Sequence, residues 1–291
     1  MPMNPWILAA RPKTLWASLA PVAMGSAIAW RDGGFHLPSM ACALASALLI
    51  QIGTNYCNDY ADFVKGTDDA ARTGPKRATA AGLVTPSQML AATVLVFTLS
   101  AGAAVYLIWR AGWPLAVVGA LSIASGVLYT AGPRPLGYLG LGDVFTLVFF
   151  GPVAVAGTYY VQALAWSWTP VVAGLAPGLL SVAILVVNNL RDREGDALAG
   201  KRTLAVRFGA TFARMEYTAC LVGSAVVTFA LVRYMGAPPN ALASALVLFA
   251  GVPALKTIWG EANGPVMNKL LAYTALLLLA YSALFSVGWI L

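Results

Sequence analysis

Histidine occurs once, at His36, and cysteine three times, at Cys42, Cys57 and Cys220, with no CxxC spacing. A histidine-built metal site, a histidine general base and a disulfide framework are therefore excluded, and the cysteines read as small packing residues. Charge is scarce as well: only 10% of the 291 residues are charged, against 59% hydrophobic. An ordinary soluble domain carries about a quarter charged residues, so this composition belongs to a membrane protein. Crossing the hydrocarbon core takes ~20 apolar residues. Nine stretches reach or approach that length, at roughly 14–31, 38–57, 87–110, 113–130, 142–162, 170–190, 211–235, 239–259 and 270–290. The connectors are short, which leaves one all-α integral membrane domain over 1–291. The first apolar run follows Arg11 and Lys13 and continues to spanning length, so it is expected to be a span rather than a cleaved signal peptide.

The net charge of +7 could suggest nucleic acid, but its distribution points to lipid instead. With the N-terminus inside, all 18 Lys and Arg except Arg31, Arg110 and Arg233 fall on the cytoplasmic side. The positive-inside rule then sets the N-terminus in and the C-terminus out. All 11 acids except Asp32 share that side. The rule does not require this, so the active face is expected to be cytoplasmic.

The acids gather in two motifs. Asn58, Asp59 and Asp62 are followed by Gly66, Asp68 and Asp69; Asn188 and Asp192 are followed by Asp196, Gly200 and Lys201. An offset of 130 residues carries Asn58 onto Asn188 and Asp62 onto Asp192, which suggests a duplicated half. Each motif follows an apolar run, so it should close a helix, where i,i+4 residues share a face. Carboxylates oppose the dipole at a helix C-terminus, and two such clusters call for a cation between them. All-oxygen donors suit a hard ion, and Mg2+ favours carboxylates completed by ligand phosphates. Arg11, Arg72, Lys76, Arg77, Arg134, Lys201 and Arg202 supply cations suited to a diphosphate. The loop from Asn58 to Pro86 is long for a connector, and Ala78–Val84 is expected to form a short amphipathic lid. Aromatic faces at Tyr129, Phe149 and Phe150 could support a carbocation left by an ionised allylic diphosphate. Asp143 reads most simply as a charge at a helix start, and Glu216 and the Glu261–Lys269 connector carry no signal.

The run from Asn58 to Asp62 with Gly66 and Asp68, together with Asn188 through Asp196, resembles the paired aspartate motifs of the UbiA superfamily of intramembrane prenyltransferases. The resemblance covers nearly the whole chain. Gly74, Pro75, Arg77, Arg134, Tyr138, Gly140, Asp143 and the run Gly200–Arg207 resemble the branch acting on 1,4-dihydroxy-2-naphthoate in menaquinone biosynthesis. Relatives acting on 4-hydroxybenzoate carry an aspartate where this chain has Gly66, and here Asp68 is displaced by two.

The resemblance implies a nine-helix bundle and a polyprenyl diphosphate ionised by Mg2+. The metal would be held by Asp62, Asp68, Asp192 and Asp196, with Asn58 and Asn188 supporting, while Asp59 either ligates or orients its neighbours. It further implies that Arg11, Arg77, Lys201 and the pair Tyr129 and Arg134 contact diphosphate or the aromatic acid. Another aromatic acceptor, a cation transporter and a non-catalytic quinone-binding protein are the alternatives. Transporters set their acids near the bilayer midplane, whereas these are expected at one mouth.

Overall fold

The structure, a computed structural model, describes residues 4–66, 77–260 and 263–291, and among them every regular element is helical. A short helix α1 (Pro5–Ala10) and a 3-10 turn (Pro12–Thr14) lead into α2 (Trp16–Arg31) and α3 (Leu37–Val64). After the first long loop come α4 (Pro86–Ala111) and α5 (Pro114–Thr130), then α6 (Gly142–Phe149) and α7 (Pro152–Ala163). The chain continues with α8 (Trp168–Arg191), a one-turn α9 (Arg193–Leu198) and α10 (Leu204–Tyr234). A 3-10 stretch (Pro239–Leu246), α11 (Val247–Trp259) and α12 (Gly264–Ile290) complete it.

Among the described residues seven segments are long and apolar enough to cross a membrane: α3, α4, α6 with α7, α8, α10, the 3-10 stretch with α11, and α12. The protein is therefore an integral membrane protein. The other two expected spans are the 16-residue α2 and the 17-residue α5. At 1.5 Å per residue neither alone covers the ~30 Å hydrocarbon core.

Local chemistry explains the helix ends. Thr85 and Gln88 form a reciprocal capping box at the start of α4, and proline occupies the first turn of α1, α3, α4, α5, α7 and α12, where its missing N–H costs nothing. One expected span, 142–162, is broken in two. Pro152 cannot donate into α6, and the sharp turn at Gly151 lets α6–α7 lie directly against α8. A Cβ on Gly174 of α8 would come within 2.7 Å of Gly151 C and Pro152 Cα. Backbone cannot retreat as a side chain can, so Gly174→Leu should destabilise the fold by about 1–3 kcal/mol. A melting curve in detergent checks this; an unchanged transition would disprove the close approach.

The hydrophobic core is one-sided. Its buried members lie on α2, α7, α8, α10, α11, α12 and the 3-10 stretch before α11, with α8 the most buried of the spans. Helices α3, α4 and α5 contribute none of these residues and instead stand off as a wall. Between wall and core lies a cavity of about 1450 Å³.

Candidate active site

The last turns of α3 carry Asn55, Asn58, Asp59 and Asp62, all buried. The helix thus runs past Asn58, where the sequence suggested a loop beginning, and the i,i+4 pair Asn58 and Asp62 shares one face as expected. The second motif sits at a helix break: Asn188 is in α8, Asp192 caps its end and starts α9, and Asp196 lies within α9. The fold brings the motifs together at one end of the cavity. Asn58, Asp62, Asn188, Asp192, Asp196, Arg11, Arg77, Tyr129 and Lys201 all line it.

Lys201 spans the two motifs. Its Nζ lies 3.4 Å from Asp62 Oδ1 and 3.8 Å from Asp196 Oδ1. Asp62 Oδ2 accepts from Arg77 Nη2 at 2.9 Å. In the second motif Arg191, its side chain 1% exposed, donates through Nε and Nη2 to the two oxygens of Asp192 at 2.8 and 2.6 Å. Arg191 also reaches Asn188 Oδ1 at 2.8 Å and Asn268 Oδ1 of α12 at 2.7 Å. Asp62 and Asp192 thus each face a guanidinium. Thr130 donates to Asn58 Oδ1 at 2.5 Å, tying the end of α5 to the first motif.

Burial alone would lower Lys201, but the carboxylates of Asp62 and Asp196 outweigh it and hold its ammonium above the usual lysine value. A raised lysine contributes its full pairing below the unfolded value and loses it only as pH rises through the folded one. Lys201 therefore stays charged throughout pH 6–9. Lys201→Ala should lower turnover across that range without changing the shape of the pH profile. A new alkaline limb below pH 9 in the wild type that vanishes in this variant would contradict the assignment.

One expectation is corrected. Ala78–Val84 forms turns rather than a lid helix, because Asp59 holds the strand of chain leading into it. Its two oxygens accept the backbone N–H groups of Ala78 and Thr79, both at 3.0 Å. Asp59 is 1% exposed, absent from the cavity wall, and anchors that loop. Arg134 is exposed and also absent from that wall. Asp68, Arg72 and Lys76 lie outside the described residues.

Sequence reasoning assigned no site role to Lys65, Tyr138, Arg191 or Asn268. The loop bearing Tyr138 is drawn onto the second motif's loop: Arg202 N donates to Tyr138 O at 3.0 Å, and Arg207 Nη2 to Leu139 O at 2.8 Å. Gly140, at φ 69°, permits the approach, since a Cβ there would meet Arg202 O at 2.7 Å. Arg11 occupies the left-handed region at φ 51°, a conformation that costs a non-glycine residue about 1–2 kcal/mol and that often marks functional positions.

Away from this polar end the cavity is apolar. Phe145 and Phe149 stack at 6.0 Å beside Tyr129 and Phe150, and the space ends among Leu107, Leu115 and Val161. The charged groups thus sit at a mouth and not at mid-depth, unlike a transporter's acids. Among the described residues no three acidic, histidine or cysteine side chains converge on one point. The oxygen donors that are present fit Mg2+ in the way that ion favours, a few carboxylates completed by ligand phosphate oxygens.

An all-helical membrane bundle with two carboxylate motifs facing each other over the head of a tail-shaped cavity defines a class, and the comparisons place the chain in it. Residues 18–271 match the UbiA prenyltransferase family, and the chain belongs to that family. It is 45% identical over 228 residues to the 1,4-dihydroxy-2-naphthoate octaprenyltransferase of Mycobacterium tuberculosis, covering 78% of this chain and 77% of that one. The Escherichia coli protein of the same name is 40% identical over 232 residues, covering 78% and 75%. Among solved structures, an apo UbiA homolog from Aeropyrum pernix K1 superposes with a TM-score of 0.70 at 16% identity, over 94% of this chain and 97% of that one. A UbiA homolog from Archaeoglobus fulgidus bound to GPP and Mg2+ gives 0.65 at 16% identity, over 97% and 99%.

Proposed function

We propose that the protein transfers a polyprenyl group from polyprenyl diphosphate to 1,4-dihydroxy-2-naphthoate, releasing CO2 and diphosphate and giving reduced demethylmenaquinone. The observation that carries the reading is the meeting of both aspartate motifs across Lys201 at the head of one long apolar cavity. Relatives of 40–45% identity bearing that activity in their names support the choice of acceptor.

In this reading Asp62, Asp192 and Asp196, with Asp68 expected beside them and Asn58 and Asn188 behind, hold Mg2+, which would draw charge from the diphosphate as the allylic C–O bond breaks. Lys201, Arg77 and Arg11 take up the charge that develops on the leaving group. Arg72 and Lys76 are kept as further diphosphate cations. The faces of Tyr129, Phe145 and Phe149 stabilise the allylic cation and keep water from it. The naphthoate ring carbon bearing the carboxylate attacks; the carboxylate leaves as CO2 and its electron pair restores the aromatic ring. We read α2 and α5 as two further membrane-embedded helices, making nine, with the mouth on the cytoplasmic side of the inner membrane.

Purified protein with Mg2+ and a polyprenyl diphosphate, offered 1,4-dihydroxy-2-naphthoate and 4-hydroxybenzoate separately, tests this. Product and CO2 from the naphthoate alone are expected. Product from the hydroxybenzoate alone would overturn the acceptor, and product from neither would overturn the activity.

A further inference from the structure

Lys65 is the first residue beyond α3, one turn after Asp62, and lines the cavity mouth. Its Nζ donates to Thr130 O at 2.5 Å and Gly132 O at 3.4 Å. The same Nζ lies 4.7 Å from the centroid of the Tyr138 ring, and Lys201 Nζ lies 5.2 Å from that centroid. One aromatic ring thus gathers two ammonium groups, one from each half of the chain.

Two like charges sharing one ring at a cavity mouth repel each other, and each needs a negative partner. Lys201 has Asp62 and Asp196. Lys65 makes no salt bridge among the described residues; two of its donors go to neutral carbonyls. An ammonium has three donors, so one N–H remains for an anion. The ring attracts each cation through its quadrupole and fixes where the two stand. Such a spacing of positive charge suits a ligand with several anionic oxygens on adjacent centres.

We propose that Lys65 is a further diphosphate-binding residue of this site, and that Tyr138 is a positioning residue whose ring holds Lys65 and Lys201 as a pair around the diphosphate. The inference rests on the prenyl-diphosphate reading above. The rival is a purely structural role, in which Lys65 only caps the carbonyl end of α5. That role predicts lost stability without a change in diphosphate affinity.

The test combines inorganic diphosphate binding with Mg2+, by calorimetry on detergent-purified protein, with steady-state kinetics. Lys65→Met should weaken diphosphate binding and raise KM for the prenyl diphosphate about ten- to a hundredfold, the scale of one lost charge-assisted hydrogen bond. KM for the aromatic acceptor should stay unchanged, and Lys65→Arg should recover most of the loss. Tyr138→Leu should weaken binding in the same way, whereas Tyr138→Phe, which keeps the ring, should behave as wild type.

A Lys65→Met protein that melts lower but binds diphosphate as before would overturn the inference and leave the proposed activity standing. So would equal losses in Tyr138→Phe and Tyr138→Leu. Wild type that binds diphosphate through Lys65 yet transfers no prenyl group would overturn the activity and leave the inference standing. Wild type that binds no diphosphate would overturn both.

Discussion

Asp62→Asn and Asp192→Asn should each lower prenyl transfer by about a thousandfold or more, with the protein still folded. Removing one preorganised stabiliser of developing charge costs about 10²–10³ in rate, and in the proposed reading the carboxylate also holds the metal. Asparagine is the informative replacement. Asp62 is buried against Arg77 and Lys201, and Asp192 against Arg191. Alanine would leave those cations facing an empty space, at a cost of about 3–5 kcal/mol for a broken buried pair, and loss of fold would imitate loss of chemistry. Asparagine keeps the shape and one acceptor oxygen. Turnover against added Mg2+, with the melting transition as control, is the measurement. Either variant turning over at the wild-type rate would remove that aspartate from the metal site.

Asp59→Ala should also cost most of the activity, by another route. The substitution strands the buried N–H groups of Ala78 and Thr79, each at about 1–3 kcal/mol. Arg77, the residue before them, is what Asp62 faces. Its displacement should raise KM for the prenyl diphosphate by at least about tenfold and lower the melting temperature, while the Mg2+ concentration for half-maximal rate stays near wild type. An unchanged transition with a strongly raised Mg2+ requirement would make Asp59 a ligand after all.

These two aspartates also show how far the site was legible. Asp62 and Asp59 stand three residues apart with the same composition around them, and only helical phase separates the one facing the cavity from the one facing the loop. The i,i+4 spacing of Asn58 and Asp62 carried that phase, so the cavity face could be read before any coordinates. The partner of Asp59 could not, because a backbone N–H has no sequence signature. Arg191 is similar. It sits inside the second motif, yet its role appears only with Asn268, 77 residues on. Tyr138 stood in a stretch already singled out, but the loop pairing that places its ring between two lysines is tertiary. The broken span had a local signal: Phe150, Gly151 and Pro152 punctuate an apolar run, and length alone hid it. The lid helix failed for a related reason, since an apolar stretch of seven residues is too short to decide between helix and turns.

The one-sided core has a consequence for the reaction compartment. Helices α3 and α4 pack closely on each other: Ser46 and Ser100 exchange hydroxyl-to-carbonyl bonds at 3.2 Å, and Phe97 rests on Gly53. They are fastened to the rest of the molecule at their ends, where Arg110 donates to Val161 O and Gln162 O and Asn55 to Ala10 O. Between those ties the cavity separates the wall from the core, so the bonds at its ends hold open the space that the proposed isoprenoid chain would occupy.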